Sequence, residues 1–347
     1  MIQVAVIGFG YWGPNVVRNF CAQEGFRVAA ICDQNTQALQ RAMNMCPGAQ
    51  FTVDAADVLH SPKIDAVAIV TPVWTHFPLA KKALENGKHV FVEKPFTSCS
   101  AHAEELIEIA ERKKLIIMVD HTFLFTGAVR KIRELIDQKV LGDLYYYDSS
   151  RVNLGLFQHD VNVIWDLAPH DLSIMDYLID GSPEEIVATG EVHVNSHEDV
   201  AFITVYFPRK VIAHINVNWL SPVKVRTTLI GGERKMLVWN DLDADEKIKV
   251  YDKGVKVTGA EDVRKLLVSY RSGDMWAPRV DQNEALHAEL SYFHECISRN
   301  EKPFNGGPAG WRVVRMLEAA QMSVKMRGKA VKLEAEQMFQ KELAAAA

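Results

Sequence analysis

The chain has 347 residues, of which 48% are hydrophobic and 24% charged; this ordinary globular composition excludes intrinsic disorder, collagen-like repeats and a coiled-coil rod. The length predicts two domains. With 39 Lys and Arg against 44 Asp and Glu, the net charge is −5, which argues against a nucleic-acid partner. The five cysteines, Cys21, Cys32, Cys46, Cys99 and Cys296, are odd in number and form no CxxC pair, so free thiols are expected rather than a disulfide framework or a zinc site. The opening MIQVAVIGFG has no basic leader, and no run of 18 apolar residues occurs. A cytoplasmic setting without membrane contact is the expectation.

Residues 2–7, Ile-Gln-Val-Ala-Val-Ile, predict a strand buried on both faces of a parallel sheet. It runs into Gly8-Phe9-Gly10-Tyr11-Trp12-Gly13, and a helix is expected from Pro14, where a first-turn N–H has no helical partner to lose. In this spacing Gly8 permits a tight turn, Gly10 lets a pyrophosphate approach the backbone, and Gly13 lets helix and strand pack closely. The helix N-terminus offers N–H groups and a positive dipole end to phosphates. A second apolar run, 28–32, ends at Asp33. A carboxylate there can accept both hydrogen bonds of an adenosine ribose diol and would repel a 2′-phosphate, which favours NAD over NADP.

Strands at 64–70, 88–92 and 115–119 alternate with helices at 78–86 and 101–113. This rhythm means a parallel sheet with right-handed crossovers, whose ligands bind beyond the carboxyl ends of the strands. Thr71-Pro72, Glu93-Lys94-Pro95 and Asp120-His121 fall at those ends, and His121 and Phe123 stand at the expected domain junction. A helix is expected over 128–138. Strand-like segments then dominate at 144–147, 186–189, 201–207, 211–219, 225–230, 235–239 and 247–251, several of them alternating with period two. Helices are expected over 281–299 and 308–327.

In Trp165-Asp166-Leu167-Ala168-Pro169-His170-Asp171, Asp166 and His170 are four apart. On a helical turn they share a face, so the carboxylate can orient and charge-stabilise the imidazole. Alcohol oxidation needs such a group near pH 7 to take the hydroxyl proton. Read from these residues alone, the pair also fits a helix start with Asp166 as its cap. Lys94, closing a buried strand, could bond the reacting oxygen or act as base, and it could equally be a surface lysine paired with Glu93. His159-Asp160, His170-Asp171, His193 and His197 have no metal-ligand spacing, so no metal is expected. No GxSxG elbow suggests a hydrolase.

The Gly8-x-Gly10-x-x-Gly13, Thr71-Pro72-Val73-Trp74-Thr75-His76 and Glu93-Lys94-Pro95 segments together resemble the glucose-fructose oxidoreductase / inositol dehydrogenase / rhizopine-catabolism (Gfo/Idh/MocA) family. The resemblance implies an N-terminal Rossmann dinucleotide-binding domain over 1–121. It implies, over 122–347, an α/β domain with a large, mainly antiparallel open sheet that binds substrate and packs against another subunit in a homodimer or homotetramer. It implies Lys94, Asp166 and His170 as the catalytic group, with the base being either Lys94 or His170. It sets Gly8, Phe9, Gly10, Tyr11, Trp12, Gly13, Asp33, Thr71, Pro72, His76, Glu93, Lys94 and His121 at the cofactor. Arg151, Asn153, Trp165 and Arg279 join the catalytic residues at the substrate; the Phe157-Gln158-His159 segment faces it too. The WDLAPHD run, the Arg151-x-Asn153 strand and the loop Tyr270-Arg271-Ser272-Gly273-Asp274-x-Trp276-x-Pro278 resemble members that oxidise nucleotide sugars at C3 for cell-surface polysaccharides. A dehydrogenase of free sugars or inositols, an NAD-dependent glycosidase and a non-catalytic dinucleotide sensor are the alternatives.

Overall fold

The computed structural model describes residues 1–155, 157, 161–194, 196–257 and 268–333, with backbone alone at 255–257 and 268–270. Gln158, His159, Asp160 and the polar tail from Glu334 lie outside the described residues. The chain forms two compact units, one of Met1–Val129 with Asp281–Arg315 and one of Arg130–Val280 with Met316–Ala347.

The first unit is built on six strands: β1 (Ile2–Ile7), β2 (Phe26–Cys32), β3 (Gln50–Thr52), β4 (Ala66–Ile69), β5 (His89–Glu93) and β6 (Ile117–Asp120). All neighbours run parallel, in the order β3-β2-β1-β4-β5-β6. This is the doubly wound order whose crevice opens at the carboxyl ends of β1 and β4. The crossovers carry α1 (Gly13–Cys21), α2 (Thr36–Met45), α3 (Ala55–Leu59), α4 (Val73–Glu85) and α5 (Ser100–Lys113). Helix α4 begins five residues before the expected start at Pro78. Thr75 Oγ1 donates to Thr71 Oγ1 and to the Pro72 carbonyl, which organises a first turn upstream of the proline.

Helix α6 (Gly127–Asp137) carries the chain into the second unit. There follow β7 (Leu144–Leu154), α7 (Val163–Leu178), β8 (Glu185–Glu191), β9 (Val200–Tyr206), β10 (Ile212–Asn218), β11 (Leu220–Gly232), β12 (Met236–Asn240), β13 (Ile248–Val257) and β14 (Val268–Trp276). With β15 (Val331–Lys332) they form a sheet ordered β14-β13-β12-β11-β7-β10-β9-β8-β15, antiparallel throughout except at β7–β10. Helix α7 packs against β7, β9 and β10. Burial therefore alternates: Ala201, Ile203, Val205, Ala213, Ile215 and Val217 are buried, while Phe202, Tyr206 and Ile212 face outward. The expected loop from Tyr270 to Pro278 is a strand as far as Trp276, where it pairs antiparallel with β13.

The chain returns to the first unit through α8 (Ala285–Arg299) and the start of α9 (Gly307–Lys325). The expected boundary after residue 121 assigned this stretch to the second domain. The structure groups it with the first, since Leu286, Leu290, Phe293 and Cys296 share one core with Val4, Phe20, Phe26 and Phe91. Phe293 stacks on Phe26 with ring centroids 5.9 Å apart.

Candidate active site

Steric necessity sets two of the three glycines of the turn. Gly8 has φ +101°, and a Cβ there would lie 2.2 Å from the Val70 carbonyl oxygen. At Gly13 a Cβ would lie 2.6 Å from the Gly8 oxygen, so turn and helix touch backbone to backbone. Gly10 is exposed, with nothing within 4 Å of where a Cβ would stand. Two glycines are thus required by the protein itself, and the third leaves room for a ligand to approach the backbone.

Asp33 closes β2 beside this turn. Its Oδ2 accepts from the Phe9 N–H at 2.6 Å and its Oδ1 from the Asn35 N–H at 2.7 Å. Two backbone donors fix a carboxylate where the ribose diol of a dinucleotide is expected. The residues therefore fit the cofactor: an open glycine, a helix N-terminus and an anchored acid at adjacent strand ends. Tyr11 is 90% exposed, and the Trp12 side chain turns inward instead, its indole donating to Asp120 Oδ2 at 3.1 Å.

Thr71 and Pro72 lie at the end of β4, with Thr71 half-buried and Pro72 exposed. His76 was expected at the cofactor, but its ring is buried and lies 2.8 Å from the Thr71 oxygen and 2.9 Å from the Pro95 oxygen. Burial holds it neutral, below the usual imidazole range. It ties the Thr71-Pro72 segment to the Lys94-Pro95 segment and so supports the cofactor frame from behind. Lys94 is half-buried directly after β5, and its N–H donates to Glu93 Oε2 at 2.9 Å.

His121 is 1% exposed, and neither ring nitrogen has a hydrogen-bond partner among the described residues. Burial, with the Lys94 charge nearby, pushes it down to about 3, so its imidazole stays neutral at physiological pH. Sequence reasoning set Asp120 at a strand end lining the mouth but gave it no role, and it did not assign Glu289 to the site. Glu289 sits on the apolar stripe Leu286, Leu290, Phe293 of α8, and an acid on such a stripe is the signal that could have exposed it.

In the second unit, α7 carries the Asp166–His170 pair. Asn162 is the N-cap, its Oδ1 accepting from the Trp165 N–H at 3.0 Å. Asp166 is therefore not the cap; its Oδ2 accepts from the Trp219 indole at 3.1 Å. The helix start is anchored further, since Asn162 Nδ2 donates to Glu198 Oε2 at 2.8 Å and to Gln321 Oε1. Asp166 and His170 are both half-buried on one helical face, as the four-residue spacing requires.

Arg151 departs from expectation. Its side chain is 5% exposed, and its Nε donates to Asp171 Oδ2 at 2.5 Å, with Nη2 3.4 Å from Oδ1. In the register of β7, Arg151 points inward with Tyr147 and Ser149, under α7. The guanidinium holds the helix that bears His170 and is not presented to a substrate anion within this unit. Asn153 and Trp165 are half-buried, and Arg279 is exposed beyond β14.

Comparisons with known proteins bear on the family and the fold. Residues 2–121 match the model described as the oxidoreductase family, NAD-binding Rossmann fold, and residues 129–238 match the GFO/IDH/MocA C-terminal domain. The chain is 28% identical to UDP-N-acetylglucosamine 3-dehydrogenase of Acidithiobacillus ferrooxidans, over 90% of this chain and 94% of that protein. It is 25% identical to scyllo-inositol 2-dehydrogenase (NAD(+)) of Bacillus subtilis, over 87% of this chain and 88% of that one. The solved levoglucosan dehydrogenase, in complex with NADH, shares the fold with a TM-score of 0.81 at 17% identity, covering 95% of this chain and 98% of the other.

Proposed function

Because the chain belongs to the Gfo/Idh/MocA family of NAD-binding oxidoreductases, we propose that it oxidises a secondary hydroxyl, at C3, of a nucleotide sugar such as a UDP-N-acetylhexosamine. The product would serve the biosynthesis of cell-surface polysaccharide or lipopolysaccharide sugars. The observation that carries the substrate class is the near full-length similarity to a UDP-N-acetylglucosamine 3-dehydrogenase. NAD, when bound, supplies the acceptor of the hydride that leaves the carbinol carbon. The chain's own residues do the rest. Gly8, Gly10 and Gly13 with α1 receive the pyrophosphate, and Asp33 receives the ribose. Lys94 and His170 handle the hydroxyl proton and the charge on the oxygen, with Asp166 orienting the imidazole.

A substrate panel tests the reading. NADH formation is followed with UDP-N-acetylglucosamine, dTDP-glucose, free N-acetylglucosamine and scyllo-inositol. The expected outcome is that a UDP-sugar exceeds the free compounds in kcat/KM by at least about tenfold, the worth of one good polar contact to the nucleotide. Equal or faster oxidation of scyllo-inositol would replace the nucleotide-sugar assignment with a cyclitol.

The outward face of the second sheet presents Phe202, Tyr206, Ile212 and Leu229. An apolar, aromatic face of this kind supports self-association. Sedimentation is expected to show a dimer or tetramer, and a monomer at micromolar concentration would refute this assembly. Among the described residues no helix is long and apolar enough to cross a membrane.

A further inference from the structure

Three carboxyl groups meet at the carboxyl end of the first sheet. Glu93 closes β5 and Asp120 closes β6, in register with each other. Glu289 reaches them from α8. Asp120 is 2% exposed and Glu289 fully buried. Asp120 receives the Trp12 indole N–H on Oδ2 and the Thr122 hydroxyl on Oδ1. Asn305 Nδ2 donates to the Val119 carbonyl and to Glu289 Oε1, which sets the Glu289 carboxyl beside the end of β6.

Donor and acceptor accounting assigns the protons. Two carboxylates cannot hydrogen-bond each other without a proton between them. Buried acids set side by side are therefore expected to hold one proton for each neighbouring pair, two for the three. Asp120 already takes two donors, from Trp12 and Thr122. Glu93 accepts from the Lys94 N–H on Oε2. Glu289 accepts from Asn305 Nδ2 on Oε1 at 2.9 Å, while its buried Oε2 receives no donor; a proton on Oε2 completes it. Burial and the Asp120 charge raise both Glu93 and Glu289 well above the usual carboxylate range, in keeping with this assignment. The other titratable groups facing the cluster are Lys94 and the neutral His121. Among the described residues no group of acids, histidines and cysteines is arranged to hold a metal ion.

We propose that Glu93, Asp120 and Glu289 share two protons at neutral pH as an acid clamp, in which Asp120 is the positioning residue for the glycine turn, through Trp12, and for the strand end that bears Lys94. The positioning role rests on the functional reading above, whereas the protonation does not. The clamp joins the two segments that frame the cofactor, β1–α1 and β5, to the returning helix α8. Three buried charges side by side would repel.

The test begins without cofactor or substrate. In protein labelled with 13C at the glutamate carboxyl, two resonances are expected to keep the position of a protonated acid at pH 7, one of them disappearing in Glu289→Gln. The amide of Glu289→Gln mimics the protonated acid, accepting from Asn305 and donating to Asp120. The folded wild type holds a proton that the unfolded chain releases near its ordinary glutamate value. Wild-type stability therefore falls as pH rises from that value toward the raised folded one. The Tm of Glu289→Gln relative to wild type is expected to climb from pH 5 to pH 8. Asp120→Asn is expected to weaken NAD binding about tenfold, the loss of a charge-assisted bond to Trp12, with Glu289→Gln unchanged. Finding only ionised glutamates at pH 7, or a pH-independent loss of Tm in Glu289→Gln, would overturn the clamp. Unaltered NAD affinity in a folded Asp120→Asn would overturn the positioning role, whatever the substrate panel returns.

Discussion

Replacing Lys94 and His170 together by alanine is expected to reduce turnover by about 10³-fold or more while NAD affinity stays within about threefold of wild type. Each positioned acid–base group contributes about 10²–10⁴ in rate, and groups acting on one proton are far from additive. On the proposed reading the dinucleotide is held by the glycine turn and Asp33, which neither substitution touches. The single variants divide the roles: the one that abolishes the acid limb of the pH profile of kcat/KM carries the base. Single-turnover NADH formation and NAD titration supply both numbers. Turnover near the wild-type rate in the double variant would remove both residues from the reaction.

Arg151→Ala is expected to destabilise the second unit by about 3–5 kcal/mol, because it strands the buried Asp171 carboxylate without its partner. The ion pair is nearly inaccessible, with side-chain exposures of 5% and 3%. Asp171 follows His170 directly on α7, so the same change is expected to disturb the helix that bears His170. Replacing the pair together, as Arg151→Met with Asp171→Leu, should recover most of the stability, since apolar groups of similar volume substitute well for buried ion pairs. Denaturant titration measures both. A stable double variant with unchanged KM keeps Arg151 out of the substrate site, and a KM raised severalfold in that stable protein would return it there.

The legible parts of the site were those whose partners lie close along the chain. Gly8, Gly10 and Gly13 could be given separate roles because the steric demand arises within one turn and one strand end. The Asp166–His170 pair was legible for the same reason, a helical period of 3.6 acting over four residues. The alternative of Asp166 as a helix cap falls, since the cap is Asn162, and only the backbone path shows where the helix begins. His76 and Arg151 carry the right chemistry for ligand contact, yet folding commits one to two carbonyl oxygens and the other to Asp171.

Sequence by itself determined the alternating βαβ order, the glycine turn, the acid at the end of β2 and the apolar strands, because short-range sterics and hydrophobic period decide these before any long-range contact forms. Tertiary structure alone decided which unit receives residues 281–315 and which polar side chains face a ligand rather than each other. Trp12, Glu93, Asp120 and Glu289 are scattered over most of the chain, and nothing in their local neighbourhoods states that they will meet at one end of the sheet. Burial sets the protonation of acids and the value of an ion pair, and burial is a property of the packed chain.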